Sequence, residues 1–216
     1  MTHALKTPLP RSFGAGLLAA IAIVGLTGCA SQPDRYYTLA APVGTAAMAT
    51  AASTPLFIEL APLALPERLA RPQMVVSQPG GASAEVKVLE KHRWTSSFEN
   101  ELRDALAGGI ATRLGAIDVS RGGRQPSQPA WRIAVQVKQF DTVENSRVDA
   151  AFSWTVRRAD AERSAVCWWS GSETVASGGI DALAQGAQRV TASAAQAMAR
   201  HVAALQADPA AACPQP

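Results

Sequence analysis

Between Trp131 and Lys138 the chain alternates strictly. Trp131, Ile133, Val135 and Val137 fall on one side, and Arg132, Ala134, Gln136 and Lys138 on the other. A period of two is the signature of a half-buried strand. Val148 to Arg157 repeats it, with Val148, Ala150, Phe152, Trp154 and Val156 on one face. Ala159-Asp160-Ala161-Glu162 reads as a turn, and Ala165 to Val175 completes a β-meander. Further strands are predicted at Tyr36 to Leu39, Leu56 to Leu60, Gln73 to Ser77, Glu85 to Leu89 and Ile117 to Val119.

Two segments change to helical period. Phe98, Leu102, Ala105, Leu106, Ile110 and Leu114 make one stripe, ended by Gly115. Ser96-Ser97-Phe98-Glu99 fits a capping box at its start, with a Ser hydroxyl on a free N–H and Glu99 reaching back. Gly108-Gly109 inside this helix is expected to serve close packing against the sheet. The second helix is predicted from about Ile180 to Leu205, on Leu183, Ala187, Val190, Ala194, Met198, Val202 and Leu205. Residues 40–54, 121–130 and 207–216 read as irregular. Strands and helices in this order predict an α+β fold, a largely antiparallel sheet with two long helices on one face.

The chain begins with a different logic. Lys6 and Arg11 precede an uncharged apolar run, Phe13 to Leu26. The run is shorter than the roughly 20 residues that cross a bilayer, so it reads as a secretory signal peptide. Leu26-Thr27-Gly28-Cys29 looks like a bacterial lipobox. That resemblance makes Cys29 the lipid attachment site and the first mature residue. Two or three acyl chains, at about 0.8 kcal/mol per buried CH₂, anchor stably where one does not. Ala30, where Asp would favour inner-membrane retention, points by the same resemblance to the periplasmic face of the outer membrane. The predicted organisation is a leader at 1–28 and a lipidated N-terminus with a short strand and loop at 29–54. A periplasmic domain follows at 55–206, then a tail at 207–216.

Composition narrows the function. The 216 residues carry 20 basic and 17 acidic side chains, and removing the leader's Lys6 and Arg11 leaves 18 against 17. A nearly neutral chain with scattered arginines lacks the clustered basic face that nucleic-acid binding requires. With Cys29 acylated, Cys167 and Cys213 remain in an oxidising compartment. Either they form a disulfide that ties down the tail, worth roughly 4 kcal/mol in the chain-entropy model, or they stay as a buried thiol and a tail thiol. The mature chain has only His92 and His201 and no CxxC pair, so no zinc site is expected.

Catalytic motifs are also wanting. There is no Gly-x-Ser-x-Gly elbow and no GxxxxGK[ST] loop. His92 is expected as a surface or packing residue, and His201 on the polar face of the last helix. Of the five tryptophans, Trp168 and Trp169 are neighbours on a strand and must point to opposite faces. One of them is expected on the uncovered sheet face, as a partner surface. The Leu65 to Pro72 turn, with Arg68 and Arg71, is a second candidate, or else a rigid corner whose arginines pair with acids.

Several pieces in order resemble one family. After the Cys29 lipobox come Tyr36-Tyr37-Thr38-Leu39, then Leu65-Pro66-Glu67-Arg68-Leu69-Ala70-Arg71-Pro72-Gln73-Met74-Val75. His92-Arg93-Trp94 leads into Phe98, Glu101-Leu102-Arg103, Leu106, Ile110 and Arg113-Leu114-Gly115. Val135-Gln136-Val137-Lys138-Gln139-Phe140-Asp141 and the pair Ala150 and Trp154 complete the set. The chain resembles the ABC-type transport auxiliary lipoproteins, the PqiC/YmbA-like family. Thr95-Ser96-Ser97 departs from it, since the family more often has an acidic residue and Pro there. The resemblance implies a non-catalytic accessory of an MCE-type system that moves lipids or other hydrophobic molecules between membranes. It implies an MCE-domain protein and an inner-membrane permease as partners, and no cofactor beyond the covalent lipid on Cys29. A homo-oligomer is left open, as is a passive envelope-integrity or assembly lipoprotein without a transport role.

Overall fold

The computed structural model describes residues 32–40, 55–80, 84–123, 128–158, 165–214. The chain divides into Met1–Pro33 and Asp34–Pro216. The predicted turn at 159–162 lies outside the described residues, as does all of 40–54 except Ala40. The second unit is an eight-stranded mixed sheet with two long helices on one face. The strands are β1 (Arg35–Tyr37), β2 (Phe57–Leu60), β3 (Gln73–Ser77), β4 (Val86–Trp94), β5 (Ile117–Asp118), β6 (Trp131–Val143), β7 (Arg147–Arg158) and β8 (Val166–Thr174). The helices are α1 (Phe98–Leu114) and α2 (Gly179–Ala207).

β6 organises the sheet. One edge pairs antiparallel with β7 along its whole length, and β7 pairs antiparallel with β8. The other edge is shared. β2 lies parallel to its start (Ile58 opposite Trp131), and β3 lies parallel to its end (Val76 opposite Thr142). Ala64 bridges the gap, its N–H donating to Val135 O and its carbonyl accepting from Val137 N–H. β4 pairs antiparallel with β3, while β1 lies parallel to β4 and β5 to β2. The long ladders are therefore antiparallel, and the parallel pairs are short.

The strict alternation stops at Lys138 because a bulge interrupts the ladder between Val137 and Gln139. An extra residue shifts the phase. Lys138 and Gln139 are both exposed, and Phe140 turns inward again. The strand thus continues to Val143, past the point where its pattern breaks.

β4 reaches Trp94 rather than ending at Leu89. Its middle is half-exposed and carries Glu90, Lys91 and His92, so the hydrophobic signal fades while the pairing continues.

The helix start differs by one residue. Ser97 is the N-cap of α1, accepting from Asn100 N–H at 3.3 Å. Glu101, not Glu99, turns back, and it takes hydroxyl hydrogen bonds from Thr95 and Ser96. Gly115 closes the helix at φ 60°, a left-handed conformation that suits glycine. The glycines in α1 do not face the sheet as expected. A Cβ on Gly109 would meet Ala195 Cβ of α2 at 2.9 Å, while Gly108 faces open space. Small residues let the two helices approach each other, and the sheet is not involved. One hydrophobic cluster joins Leu102, Leu106 and Ile110 of α1, Leu183, Val190 and Met198 of α2, and Ile133, Phe152 and Trp154 of the sheet.

Candidate partner-binding surface

The β7–β8 register decides which tryptophan faces which way. Trp169 lies opposite Phe152 and Trp168 opposite Ser153. Phe152 points into the core, and so does Trp169. Their ring centroids are 6.0 Å apart and nearly parallel. The Trp169 indole folds over Gly171, two residues along the same face. A Cβ there would sit 2.5 Å from the ring, so only glycine leaves it room. Trp168 points away from the helices and is 59% exposed. It covers Ser153, which keeps only 5% exposure. The Lys138 ammonium lies 5.3 Å from the Trp168 ring centroid, within cation–π range. The bulge in β6 carries that lysine, so the irregularity and the exposed aromatic belong to one patch. Val166, 58% exposed, extends it along β8. Ion pairs bound the patch on both sides: Arg132 with Glu59, and Arg147 with Asp149, which also accepts from Ser172.

The Leu65–Pro72 corner is built around a short 3₁₀ turn, Glu67–Leu69, whose Leu69 is buried. Arg68 pairs with Asp141 at 3.2 Å. Arg71 is exposed and makes no ion pair among the described residues. Leu69 anchors this corner inward, and Arg68 ends on Asp141, which lies opposite Asp149 in the β6–β7 ladder.

Cys167 and Cys213 are brought together in a disulfide, Cα–Cα 5.4 Å, across 46 residues. It fastens the tail after α2 to the start of β8. Cys29 lies outside the described residues.

His201 is not on a polar face. It is 1% exposed on the inner side of α2, edge-on to Trp154. Trp154 Nε1–H donates to His201 Nδ1 at 3.1 Å, and Cys167 Sγ lies 3.4 Å from Nδ1 and 3.6 Å from Nε2. Burial lowers the His201 pKa, so the imidazole stays neutral. The helix stripe hid this, because the tryptophan that receives His201 is 47 residues away. Ligand atoms of Cys167, Cys213 and His201 come within 4.8 Å of one another. In the disulfide both sulfurs are bonded to each other and neither is a thiolate ligand.

The first strand is held by polar contacts that composition does not reveal. Tyr37 Oη–H donates to Asp181 Oδ1 at 2.7 Å and lies 2.9 Å from His92 Nδ1. The single hydroxyl proton goes to the carboxylate, so His92 Nδ1–H must be the donor to Tyr37 Oη. Burial and then the Asp181 contact push the Tyr37 pKa up to about 12. The Tyr37 hydrogen bond is the main reason the Asp181 pKa falls, and Arg35 adds an ion pair at 2.8 Å. His92 thus packs on Tyr37, rings stacked, as a structural residue.

Glu101 is a second clamp. It accepts from Leu39 N–H at 3.0 Å and from Thr38 Oγ1 at 2.9 Å, besides Thr95 and Ser96. Burial raises its pKa, but these hydrogen bonds to the carboxylate outweigh burial and the net shift is downward. The run Thr95-Ser96-Ser97 ahead of an acid was the one sequence signal for this clamp.

The geometry defines an α+β domain with a helix-covered sheet face and a second face that presents an aromatic–cation patch. The chain belongs to the family of ABC-type transport auxiliary lipoprotein components, whose family model matches residues 37–199. Solved structures share the fold. A crystal structure of an uncharacterized protein is 15% identical with TM-score 0.62, covering 79% of this chain and 99% of that one. Protein XCC0632 from Xanthomonas campestris, assigned to the family model DUF330, is 11% identical with TM-score 0.58, covering 82% and 99%. No curated protein is significantly similar to the chain. Among the described residues no helix is long and apolar enough to cross a membrane. Membership places the chain among auxiliary components of ABC-type transport.

Proposed function

We propose that this protein is a lipid-anchored, non-catalytic accessory at the periplasmic face of the outer membrane. Its Cys29 lipid holds the domain close to the bilayer, since Cys29 to Tyr36 spans at most about 25 Å when extended. It serves a system that moves lipids or other hydrophobic molecules between membranes, beside an MCE-domain protein and an inner-membrane permease. The open sheet face is the surface that meets the assembly. The observation that carries this reading is Trp168, a large aromatic left 59% exposed beside Lys138 on the face the helices leave bare. Aromatic residues concentrate in interface cores because they bury much area at little entropic cost. The alternative, a passive envelope-integrity lipoprotein, would need neither MCE partner nor permease.

Affinity capture from gently solubilised membranes, with mass spectrometry of the eluate, tests the reading. An MCE-domain protein co-eluting with the wild type but depleted at least about tenfold with Trp168→Ala is the expected result. Capture of this chain alone, with an MCE protein present in the input, overturns it in favour of the passive lipoprotein. Equal capture by both chains keeps the transport role and removes Trp168 from the interface.

A further inference from the structure

An unpaired edge strand offers a row of N–H and C=O groups to another chain. The edges of this sheet are treated unequally. β1 is three residues long and β5 two, and the part of β4 that β1 leaves open carries Lys87, Glu90 and Lys91. Short or charged edges resist pairing. β8 runs for nine residues without Lys, Arg or Pro, and its ladder to β7 has no bulge. The same ladder fixes which backbone groups are free. Val175 N–H donates to the carbonyl of Ser146, its neighbour across the strands. Bonded and non-bonded pairs alternate in an antiparallel ladder, so Cys167, Trp169, Gly171 and Glu173 turn their backbone groups to β7. Val166, Trp168, Ser170, Ser172 and Thr174 turn theirs outward. Cys213 Sγ lies 3.6 Å from Val166 O, so the tail reaches that end. From Trp168 to Thr174 the outward groups have no backbone partner among the described residues.

Charge says what fits beside this edge. On the outer face Glu59, Asp141 and Asp149 each hold an arginine: Arg132, Arg68 and Arg147. Lys138, over the Trp168 ring, and Arg157, opposite Arg132, make no ion pair among the described residues. A second copy of this chain would bring the same surplus of cations, whereas an acidic strand offsets it. We propose that the free edge of β8 receives an extended, acid-bearing segment of a partner protein as an added strand. This rests on the reading that the Trp168 face meets the assembly, and it names the chemistry of what arrives. Main-chain bonds from Trp168, Ser170, Ser172 and Thr174 hold the segment, and alternate side chains select it. Ser170 and Ser172 are small, which leaves room beside the Trp168 indole for acids directed at Lys138. The intervening residues fall on the inner rim beside Trp169 and are apolar.

The test uses the mature, isotope-labelled chain in mild detergent. The probe is a synthetic peptide as long as β8 that alternates valine and glutamate. Amide exchange read by nuclear magnetic resonance should slow at least about tenfold at Ser170, Ser172 and Thr174 on saturation, with Gly171 and Glu173 little changed. A peptide alternating valine and lysine should bind at least about tenfold more weakly. Unprotected outward amides, or equal binding of both peptides, overturns the proposal. Protection that grows with concentration of the chain alone overturns it too, by assigning the edge to a second copy. Ser170→Pro removes an outward N–H without costing a bond to β7 and should abolish binding, while Ser170→Ala should bind like the wild type. Equal binding by a folded Ser170→Pro chain overturns strand addition. The exchange pattern of the unmutated chain decides whether or not that variant folds. Capture of the assembly kept by Ser170→Pro but lost by Trp168→Ala overturns strand addition and leaves the face reading intact. Edge protection by the acidic peptide, with capture untouched by Trp168→Ala, supports the edge and removes the face reading.

Discussion

Trp168 and Trp169 are adjacent in sequence, and one peptide bond separates two environments. Trp169 lies on Phe152 over a glycine shaped to receive it. Trp168 stands on the opposite face with a lysine for company. The inner face of β7 and β8 is closed by α2 and packed to the limits of van der Waals contact. The outer face has side chains that satisfy one another, and among the described residues nothing is laid across it. A fold that needs only one buried face for stability has the second face to use. The inner set should therefore govern whether the domain folds, and the outer set what it meets.

Substitutions can break that division or sharpen it. The largest effect belongs to Trp154→Ala on the inner face, expected to cost about 3–5 kcal/mol in chemical denaturation. It deletes a fully buried indole and the partner of His201. Gly171→Val comes next, at about 1–3 kcal/mol, because the new side chain occupies the space of the Trp169 ring. Near-ultraviolet circular dichroism should report the displaced indole. Loss of only a few tenths of a kcal/mol would mean that the ring relocates freely.

Glu101→Gln tests a polar clamp of the inner side. It should cost about 1–3 kcal/mol by weakening hydrogen bonds that a carboxylate receives from Leu39, Thr38, Thr95 and Ser96. The wild-type contribution has a definite pH sign. The folded carboxyl has its pKa lowered, so its stabilisation is complete above the unfolded value of about 4.3 and is lost as pH falls through the folded value. Stability measured from pH 6 downward should fall less steeply in Glu101→Gln than in the wild type. Parallel pH profiles would remove Glu101 as the cause. The smallest effect on folding belongs to Trp168→Ala, within about 0.5 kcal/mol of wild type. Unfolding as severe as that of Trp154→Ala would erase the division between the two faces.

Much of this was readable beforehand, and the failures share a physical cause. Strands β6 and β7, both helices and the opposed tryptophans follow from periods of two and 3.6, which are local properties. The bulge at Lys138 is local too, but an extra residue in a strand looks like a strand's end. Residues whose partners are distant in the chain escaped. His201 reads as polar until Trp154 is placed beside it, and Gly109 reads as sheet packing until Ala195 is. Glu101 reads as an ordinary first-turn acid until Leu39 arrives. For the candidate surface, alternation could say that one of Trp168 and Trp169 faces outward. Only the ladder to Phe152 and Ser153 says which.

The divided edge of β6 has a consequence for the order of events during folding. β2 and β3 are made early but rest on a strand about 70 residues downstream, as with Ile58 on Trp131. β6, β7 and β8 are joined by short connections and follow one another directly. A chain emerging N-terminus first can pair β3 with the nearby β4 at once, but β2 has only the two-residue β5 to pair with until β6 exists. Contacts close in sequence form before distant ones, because loop closure costs entropy in advance. Pulse-labelled hydrogen exchange should find β7 amides protected ahead of those in β2. The N-terminal segments then arrive last at a sheet whose other half is already waiting.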